Sequence, residues 1–385
     1  MSLSTERIAI VTGRYFHEGQ VVINRHIDEL NRGDNCVICF DRSNDELITK
    51  NAFFRSELKR NIFEFPFQFA NRIRNFRSYH SGYVPVGYKK QMLQAFLKEQ
   101  KVGKILVEFG NLGPSVWPIA KEMNIPVYVY FRGYDATGYL DSNLRGKRRR
   151  SAYKVMFENI DGVFAVSQFL LDRINGLGVH HTNSHVIPSG VDTSMFKLGA
   201  KKKGSIASIG RFIEKKAPQL TIKVFARIAQ SFPHASLTMV GEGDLLDECK
   251  RLAADLGVKG KVEFPGAVRH DQVAELLSRC DIYLQHSVKS KNGDSEGVPT
   301  ALQEAMAAGC AVVSTRHAGI PEIVENGRTG LLVNEYDAAS FGESIQRLLN
   351  SPANSRRLGE AAREYALENL EYRVLYRRLE SVMNL

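Results

Sequence analysis

The chain has 385 residues, 43% of them apolar and 24% charged, and its 52 Lys and Arg against 42 Asp and Glu give a net charge of +10. Such a composition excludes an intrinsically disordered chain, and the length suggests two domains, each able to bury a sizeable core. Five cysteines (Cys36, Cys39, Cys249, Cys280, Cys310), odd in number and set in apolar runs, fit reduced thiols of a cytoplasmic protein better than a disulfide framework.

In chain order, the first apolar run, Ile8–Val11, is far too short for a signal or membrane helix, and nothing later reaches spanning length. Short β-branched runs then alternate with helical periods, the pattern of a parallel sheet flanked by helices. Strands are predicted at 7–12, 36–40, 104–109, 127–131, 162–166 and 185–187, with helices such as 20–32, 114–123 and 168–175 between them. Pro188, Gly190 and the lysine-rich 197–203 interrupt the rhythm and mark a domain boundary. The alternation restarts with strands at 205–210, 236–240, 261–264, 282–286, 311–314 and 330–333, and with helices at 216–230, 245–256, 272–278 and 300–308. The last stretch, 353–385, reads as two amphipathic helices, the second of which is expected to fold back on the first domain.

Two segments depart from this rhythm. Residues 51–88 interleave Phe53, Phe54, Phe63, Phe65, Phe67, Phe69 and Phe76 with Arg55, Arg60, Arg72, Arg74 and Arg77. That mixture suits either a helical insertion packed on the domain or a membrane interface that meets a lipid-bearing acceptor. The run Arg145, Lys147, Arg148, Arg149, Arg150 concentrates the positive charge of the first half, where 26 basic residues face 19 acidic ones through Asp192. It reads either as the solvated face of a helix or as a contact with an anionic membrane surface, which would make the protein peripheral on the inner face of the membrane; nucleic acid is not an expected partner.

The chemistry concentrates in the block from Glu296 to Ala307. Gly297 lets backbone approach a ligand, and Pro299 suits the first position of a helix. The amides from Val298 through Thr300 to Leu302 then form a helix start, a ready site for phosphate or sugar hydroxyls. Glu304 lies one turn further in, where its carboxylate can accept both hydroxyls of a ribose, and Glu296 lies on the loop, where it can hold a sugar hydroxyl. Gly210, which follows the first strand of the second half, leads into Arg211 and Lys216, a fork and a point charge that can converge on a pyrophosphate. No Asp-x-Asp pair is present to hold a cation on a diphosphate, and no nucleophile stands out.

With these residues the sequence resembles the retaining family 4 glycosyltransferases, also called glycosyltransferases group 1, and among them bacterial exopolysaccharide enzymes of the colanic-acid type. The resemblance rests on Gly293 to Ala307, Gly309–Ser314, His317–Glu322, Gly210–Lys216, Val240–Gly243 and Ile187–Asp192. It implies a GT-B fold, an α/β architecture of two Rossmann-like domains facing each other across a cleft: 1–192 on the acceptor side, 193–365 for the donor, and 366–385 as a helix crossing back. It further implies a UDP- or GDP-linked sugar donor, retention at the anomeric carbon, no metal or other cofactor, and a glycan or lipid-linked acceptor in polysaccharide or lipopolysaccharide biosynthesis. By this resemblance Arg211 and Lys216 hold the diphosphate, Glu304 the ribose, and Glu296 with the amides of Gly297, Val298, Pro299 and Thr300 the donor sugar.

The first domain departs from the family. Where relatives carry a glycine pair after their first strand, only Gly13 remains, assigned here to the donor. Where they carry Phe-His-Gly, this chain has Phe131-Arg132-Gly133. Arg132 either replaces the histidine by meeting the diphosphate or an anionic acceptor, or is neutral drift. A sugar-nucleotide epimerase of the same fold and a non-catalytic nucleotide-sugar binder are the competing readings. Gly241-x-Gly243 is a weak dinucleotide signal, because Leu246 stands at the third glycine position. Cys36 and Cys39 fall on opposite faces of a strand. His180, His181 and His185 lack a nearby cysteine or carboxylate for a zinc site, and Trp117 reads as helix packing.

Overall fold

The computed structural model describes residues 6–15, 19–41, 50–55, 65–81, 84–141, 143–178 and 180–385. The chain divides into two compact units, one of Met1–Ile187 with Tyr376–Leu385, the other of Pro188–Leu375.

The first unit runs through β1 (Arg7–Arg14), α1 (Val21–Glu29), β2 (Asn35–Asp41), β3 (Ala52–Phe54), α2 (Phe65–Tyr79), α3 (Tyr88–Glu99) and β4 (Val102–Val107). It continues with α4 (Trp117–Glu122), β5 (Val127–Phe131), α5 (Gly138–Asp141), α6 (Asn143–Phe157), β6 (Gly162–Ala165), α7 (Gln168–Asn175) and β7 (Ser184–Val186). The strands pair in parallel in the order β3-β2-β1-β4-β5-β6-β7. A parallel sheet covered on both faces needs apolar side chains on both, which is why Val127–Phe131 is a continuous apolar run, all five residues buried. Ser167 starts α7 by accepting the Leu170 N–H on its side chain.

β3 was not predicted; the residues form an edge strand, with Val37 paired to Ala52 and Cys39 to Phe54. Phe53 packs on Phe96 at a ring separation of 5.6 Å and Phe54 on Tyr15 at 6.2 Å, so this end of the Phe/Arg-rich stretch packs on the domain. Arg60, Phe63 and the side chains of Phe65, Phe67, Phe69 and Arg72 lie outside the described residues, whereas Phe76 on α2 is 43% exposed. Trp117 is buried edge-on against Tyr79.

The second unit contains β8 (Lys202–Ile209), α8 (Pro218–Ser231), β9 (Ser236–Val240), α9 (Leu246–Asp255), β10 (Val262–Gly266), α10 (His270–Arg279) and β11 (Cys280–Gln285). Then come α11 (Thr300–Ala307), β12 (Ala311–Thr315), β13 (Gly330–Val333), α12 (Ala338–Asn350) and α13 (Pro352–Asn369). Its six strands, again parallel, are ordered β10-β9-β8-β11-β12-β13 between two apolar layers, one holding Phe225, Leu237 and Phe341, the other Leu277, Tyr283 and Met306. The last helix, α14 (Tyr372–Met383), begins in the second unit and ends in the first, where Leu379 and Met383 are buried.

The units divide at 187/188 and 375/376, where the sequence suggested 192/193 and 365/366. The backbone explains both shifts: Val191 N–H donates to Leu370 O at 2.8 Å and Tyr372 N–H to Val191 O at 3.1 Å, so the strap around Gly190 and the start of α14 are bonded to each other inside the second unit. Gly190, at φ 76°, is required there, since a Cβ would stand 2.8 Å from the Tyr372 Cα. All five cysteines are buried, and burial pushes the Cys36 thiol up to about 12 and that of Cys39 to about 11, which keeps both protonated.

Candidate functional site

In the second sheet the strand order reverses between β8 and β11: β9 and β10 are laid down on one side, β12 and β13 on the other. Loops that leave the carboxyl ends of two such strands diverge and open a crevice between them, the place where ligands bind in open α/β sheets. Here those loops are 210–217 and 286–299.

The first loop is shaped by close backbone approaches. Gly210 follows β8 at φ 155°, and its N–H bonds Val240 O at 2.9 Å. Gly241, at φ 135°, lies so near that a Cβ on it would stand 2.0 Å from Gly210 O. Only glycine fits there, and the contact locks the turn after β8 to the turn after β9. Ala217 is left-handed at φ 41° and Pro218 opens α8, so the predicted helix start at Lys216 gives way to a single 3-10 turn, Glu214–Lys216, that aims both lysines at the crevice. Arg211 is exposed and lines the crevice with Lys216 and Gln285.

The second loop delivers acids to those cations. Lys216 Nζ stands 2.8 Å from Glu296 Oε1, and Lys215 Nζ lies 3.1 Å from Asp294 and 3.9 Å from Glu296 Oε2. Val288 N–H donates to Lys215 O at 2.9 Å and ties the loops together. Burial alone would push the Glu296 carboxyl up; Lys216 and Lys215 outweigh it and hold the group at about 2. Lys216 is shifted down, by burial first and by the neighbouring Lys215 and Arg211, with Glu296 opposing them. Glu296 also donates its backbone N–H to His317 Nε2 at 3.1 Å, while His317 Nδ1 meets Glu335 at 2.6 Å. The imidazole therefore accepts at Nε2 and donates at Nδ1, and it fixes the loop from behind.

α11 starts at Thr300, one residue later than Pro299, which precedes the helix with extended backbone at ψ 129°. Gln303, on its first turn, accepts the Gly190 N–H at 3.0 Å and so anchors the strap to the helix. Glu304 is buried and pairs with no cation of the 211–216 loop; its Oε1 meets His270 Nε2 at 2.9 Å, and the His270 ring is held edge-on by Phe196 at 5.0 Å. Glu304 and Glu296 both lie near the buried Tyr283, whose phenol burial and these two carboxylates push well above its ordinary value, and whose OH reaches Ile209 O at 3.2 Å. Arg211, Lys216, Glu296 and Glu304 thus belong to one end of one sheet. His270, Lys215, Asp294, His317 and Glu335 had no assigned role in the sequence, although Lys215, Asp294 and His317 fall within the segments that carry the family resemblance.

Gly13 and Arg132 lie in the other unit. Gly13 is the penultimate residue of β1, with open space where a Cβ would stand. Arg132 pairs with a buried carboxylate of its own unit. Its Nε donates to Glu108 Oε2 at 2.9 Å and its Nη2 pairs with the same oxygen, while its guanidinium lies 4.0 Å from the Tyr130 ring centroid. His26 Nδ1 meets Glu108 Oε1 at 2.5 Å. Burial would raise the Glu108 carboxyl, but Arg132 and His26 hold it at about 2. The guanidinium is therefore committed to a buried carboxylate that directly follows β4, at the β1/β4 reversal of the first sheet.

Comparison with known proteins agrees with this architecture. Residues 53–195 match the model of Glycosyltransferase Family 4, and residues 191–365 that of Glycosyl transferases group 1. The amylovoran biosynthesis glycosyltransferase AmsK of Erwinia amylovora is 25% identical over 319 residues, 80% of this chain and 77% of that protein. The putative colanic acid biosynthesis glycosyltransferase WcaL of Escherichia coli is 29% identical over 238 residues, 60% of this chain and 58% of that one. Against most of the curated relatives named alongside it, the match spans about three-fifths of their length. The crystal structure of Anabaena Alr3699/HepE with UDP superposes with a TM-score of 0.78 at 15% identity, covering 99% of this chain and 100% of that one. The fold is that of the GT-B glycosyltransferases, and the chain belongs to the group 1, family 4 glycosyltransferases.

Proposed function

We propose that the protein is a retaining, metal-independent glycosyltransferase that moves a sugar from a UDP- or GDP-linked donor to a glycan or lipid-linked acceptor in polysaccharide or lipopolysaccharide biosynthesis. The observation that carries this reading is the Lys216–Glu296 pair, which closes the crevice at the strand-order reversal with a cation on one loop and a carboxylate on the other. A diphosphate entering there meets Arg211 and Lys216 as well as the free amides at the start of α11. Lys216 then exchanges Glu296 for phosphate, which leaves the carboxylate free to accept a hydroxyl of the donor sugar. Glu304 uses only Oε1 toward His270, so Oε2 remains for ribose hydroxyls. Charge that grows on the departing diphosphate is stabilised by these cations and amides, and a phosphate oxygen takes the acceptor's proton as the glycosidic bond forms on the face the diphosphate leaves. The exposed basic residues of α6, Arg145, Lys147 and Arg148, with Arg149 and Arg150, favour attachment to an anionic membrane surface; among the described residues no helix is long and apolar enough to cross a membrane.

Relatives whose names specify GDP-mannose and neighbours solved with UDP leave both nucleotides in play, so the test is a panel. Incubation of the protein with UDP- and GDP-sugars and candidate acceptors, followed by NMR of the product, should show transfer with the donor's anomeric configuration preserved, unaffected by EDTA. An inverted product, or activity lost to EDTA and restored by Mg²⁺, rejects the mechanism. A donor epimerised without acceptor supports the epimerase instead, and binding without turnover the non-catalytic binder.

A further inference from the structure

The basic run on α6 does not form one uniform surface. Arg145, Arg148 and Arg149 are spaced i, i+3 and i+4, which places them on one face of the helix, and all three line an open cavity of the first unit; Lys147 does not. Arg55 joins them from beyond β3, so four guanidinium groups border a single space of about 1190 Å³ counted out to solvent. None of the described residues that line it is acidic. Neither Arg145 nor Arg148 has a carboxylate partner among the described residues.

The rest of the wall is aromatic. Tyr139, Tyr153 and Phe76 line the cavity, with Arg149 held 4.0 Å over Tyr139 and bonded through Nη1 to Tyr139 O at 2.8 Å, and Arg148 5.5 Å over Phe76. Ser151 Oγ meets His80 Nδ1 at 2.7 Å and joins α6 to the end of α2. Beside the cations stand apolar side chains that water would not favour: Phe76 is 43% exposed, Ile73 one turn before it 42%, and Leu144, next to Arg145, 76%. Guanidinium groups recognise phosphate oxygens as forks, and exposed aliphatic and aromatic groups alongside them recognise a hydrocarbon chain.

We infer that this cavity binds the phosphate head of a single amphiphile, a lipid phosphate or pyrophosphate, with its hydrocarbon running over Phe76, Ile73 and Leu144. The inference rests on the transferase reading only for the ligand's role, which is that of the acceptor's anionic anchor; the binding itself is independent of the donor site.

Binding of n-octyl phosphate, inorganic phosphate and n-octanol to the full chain by calorimetry tests it. Octyl phosphate should bind at least ~10-fold more tightly than either of the other two, because it alone engages both halves of the site. Arg145→Gln with Arg148→Gln should weaken octyl phosphate by ~10-fold or more, whereas Lys147→Gln with Lys154→Gln, which removes the same charge elsewhere on α6, should change it by less than ~2-fold. Inorganic phosphate binding as well as octyl phosphate would make this a free-anion site, equal octanol binding would make it merely apolar, and equal losses in the two double variants would make it bulk electrostatics; each overturns the inference. The rise in melting temperature on adding UDP or GDP to the same samples reports the donor site separately, so failure there leaves the octyl phosphate result standing.

Discussion

At the scale of single residues, the proposed donor site is built from charges that compensate one another. Glu296 is held near 2 because two lysines outweigh its burial, and Glu296 in turn opposes the downward shift that burial gives Lys216. Replacing Glu296 with Gln leaves Lys216 facing a neutral amide and should cost about 3 kcal/mol of stability. A bound diphosphate would then supply the missing anion, so UDP or GDP should raise the melting temperature of the variant more than that of the native protein; a smaller rise would refute the exchange of partners. Glu304→Ala should weaken nucleotide affinity by about 1.5–3 kcal/mol. His270→Ala should weaken it less, since His270 only orients the carboxylate, and calorimetry that finds the two equal would transfer the ribose contact to His270.

At the scale of elements, the turn after β8 depends on the turn after β9. Gly241 has no room for a side chain, and its φ of 135° is one that other residues rarely adopt. Gly241→Ala should therefore lower stability by about 2 kcal/mol or more, read as a lower urea midpoint, and should displace Gly210 and Arg211. Nucleotide affinity should fall with it. An alanine tolerated at full stability and affinity would show that the two turns move independently. Arg211 and Lys216 are placed by their neighbours' lack of side chains as much as by their own loop.

At the scale of the whole molecule, residues 376–385 belong to the first unit although they follow the whole of the second in the chain. Leu379 and Met383 are buried, Glu380 accepts the Asn31 N–H at 2.9 Å, and Tyr376 lies edge-on to His26 at 4.7 Å. Leu379→Ala should destabilise that unit by about 2–5 kcal/mol, measured by urea unfolding. Acid should act on both units through one kind of group. Glu108 and Glu296 each fall from an ordinary 4.5 to about 2 on folding, so the folded state binds fewer protons than the unfolded one between those values. Their contribution is fully present above about 4.5 and is lost as pH falls through 2. The melting temperature should drop steeply over that window, and less steeply in Glu108→Gln, whose starting stability is lower; equal slopes would show that Glu108 contributes nothing.

Much of this protein could be read from local pattern. Parallel strands buried on both faces are rich in apolar residues, so Val127–Phe131 was legible without a structure, as were the apolar start of the strand at 311–314, the helix start before Glu304 and the cations after β8. β3 escaped because three residues on a sheet edge carry no period. The pairings of Arg132, Lys215 and His270 escaped for a different reason: their partners Glu108, Asp294 and Glu304 lie 24, 79 and 34 residues away, beyond the reach of local pattern. The same holds for the basic run on α6, whose helical spacing was visible while the cavity that gives three of its arginines a common direction was not. Periodicity and backbone preference are properties of neighbours along the chain; the pairing of buried charges is a property of neighbours in space, and only folding creates it.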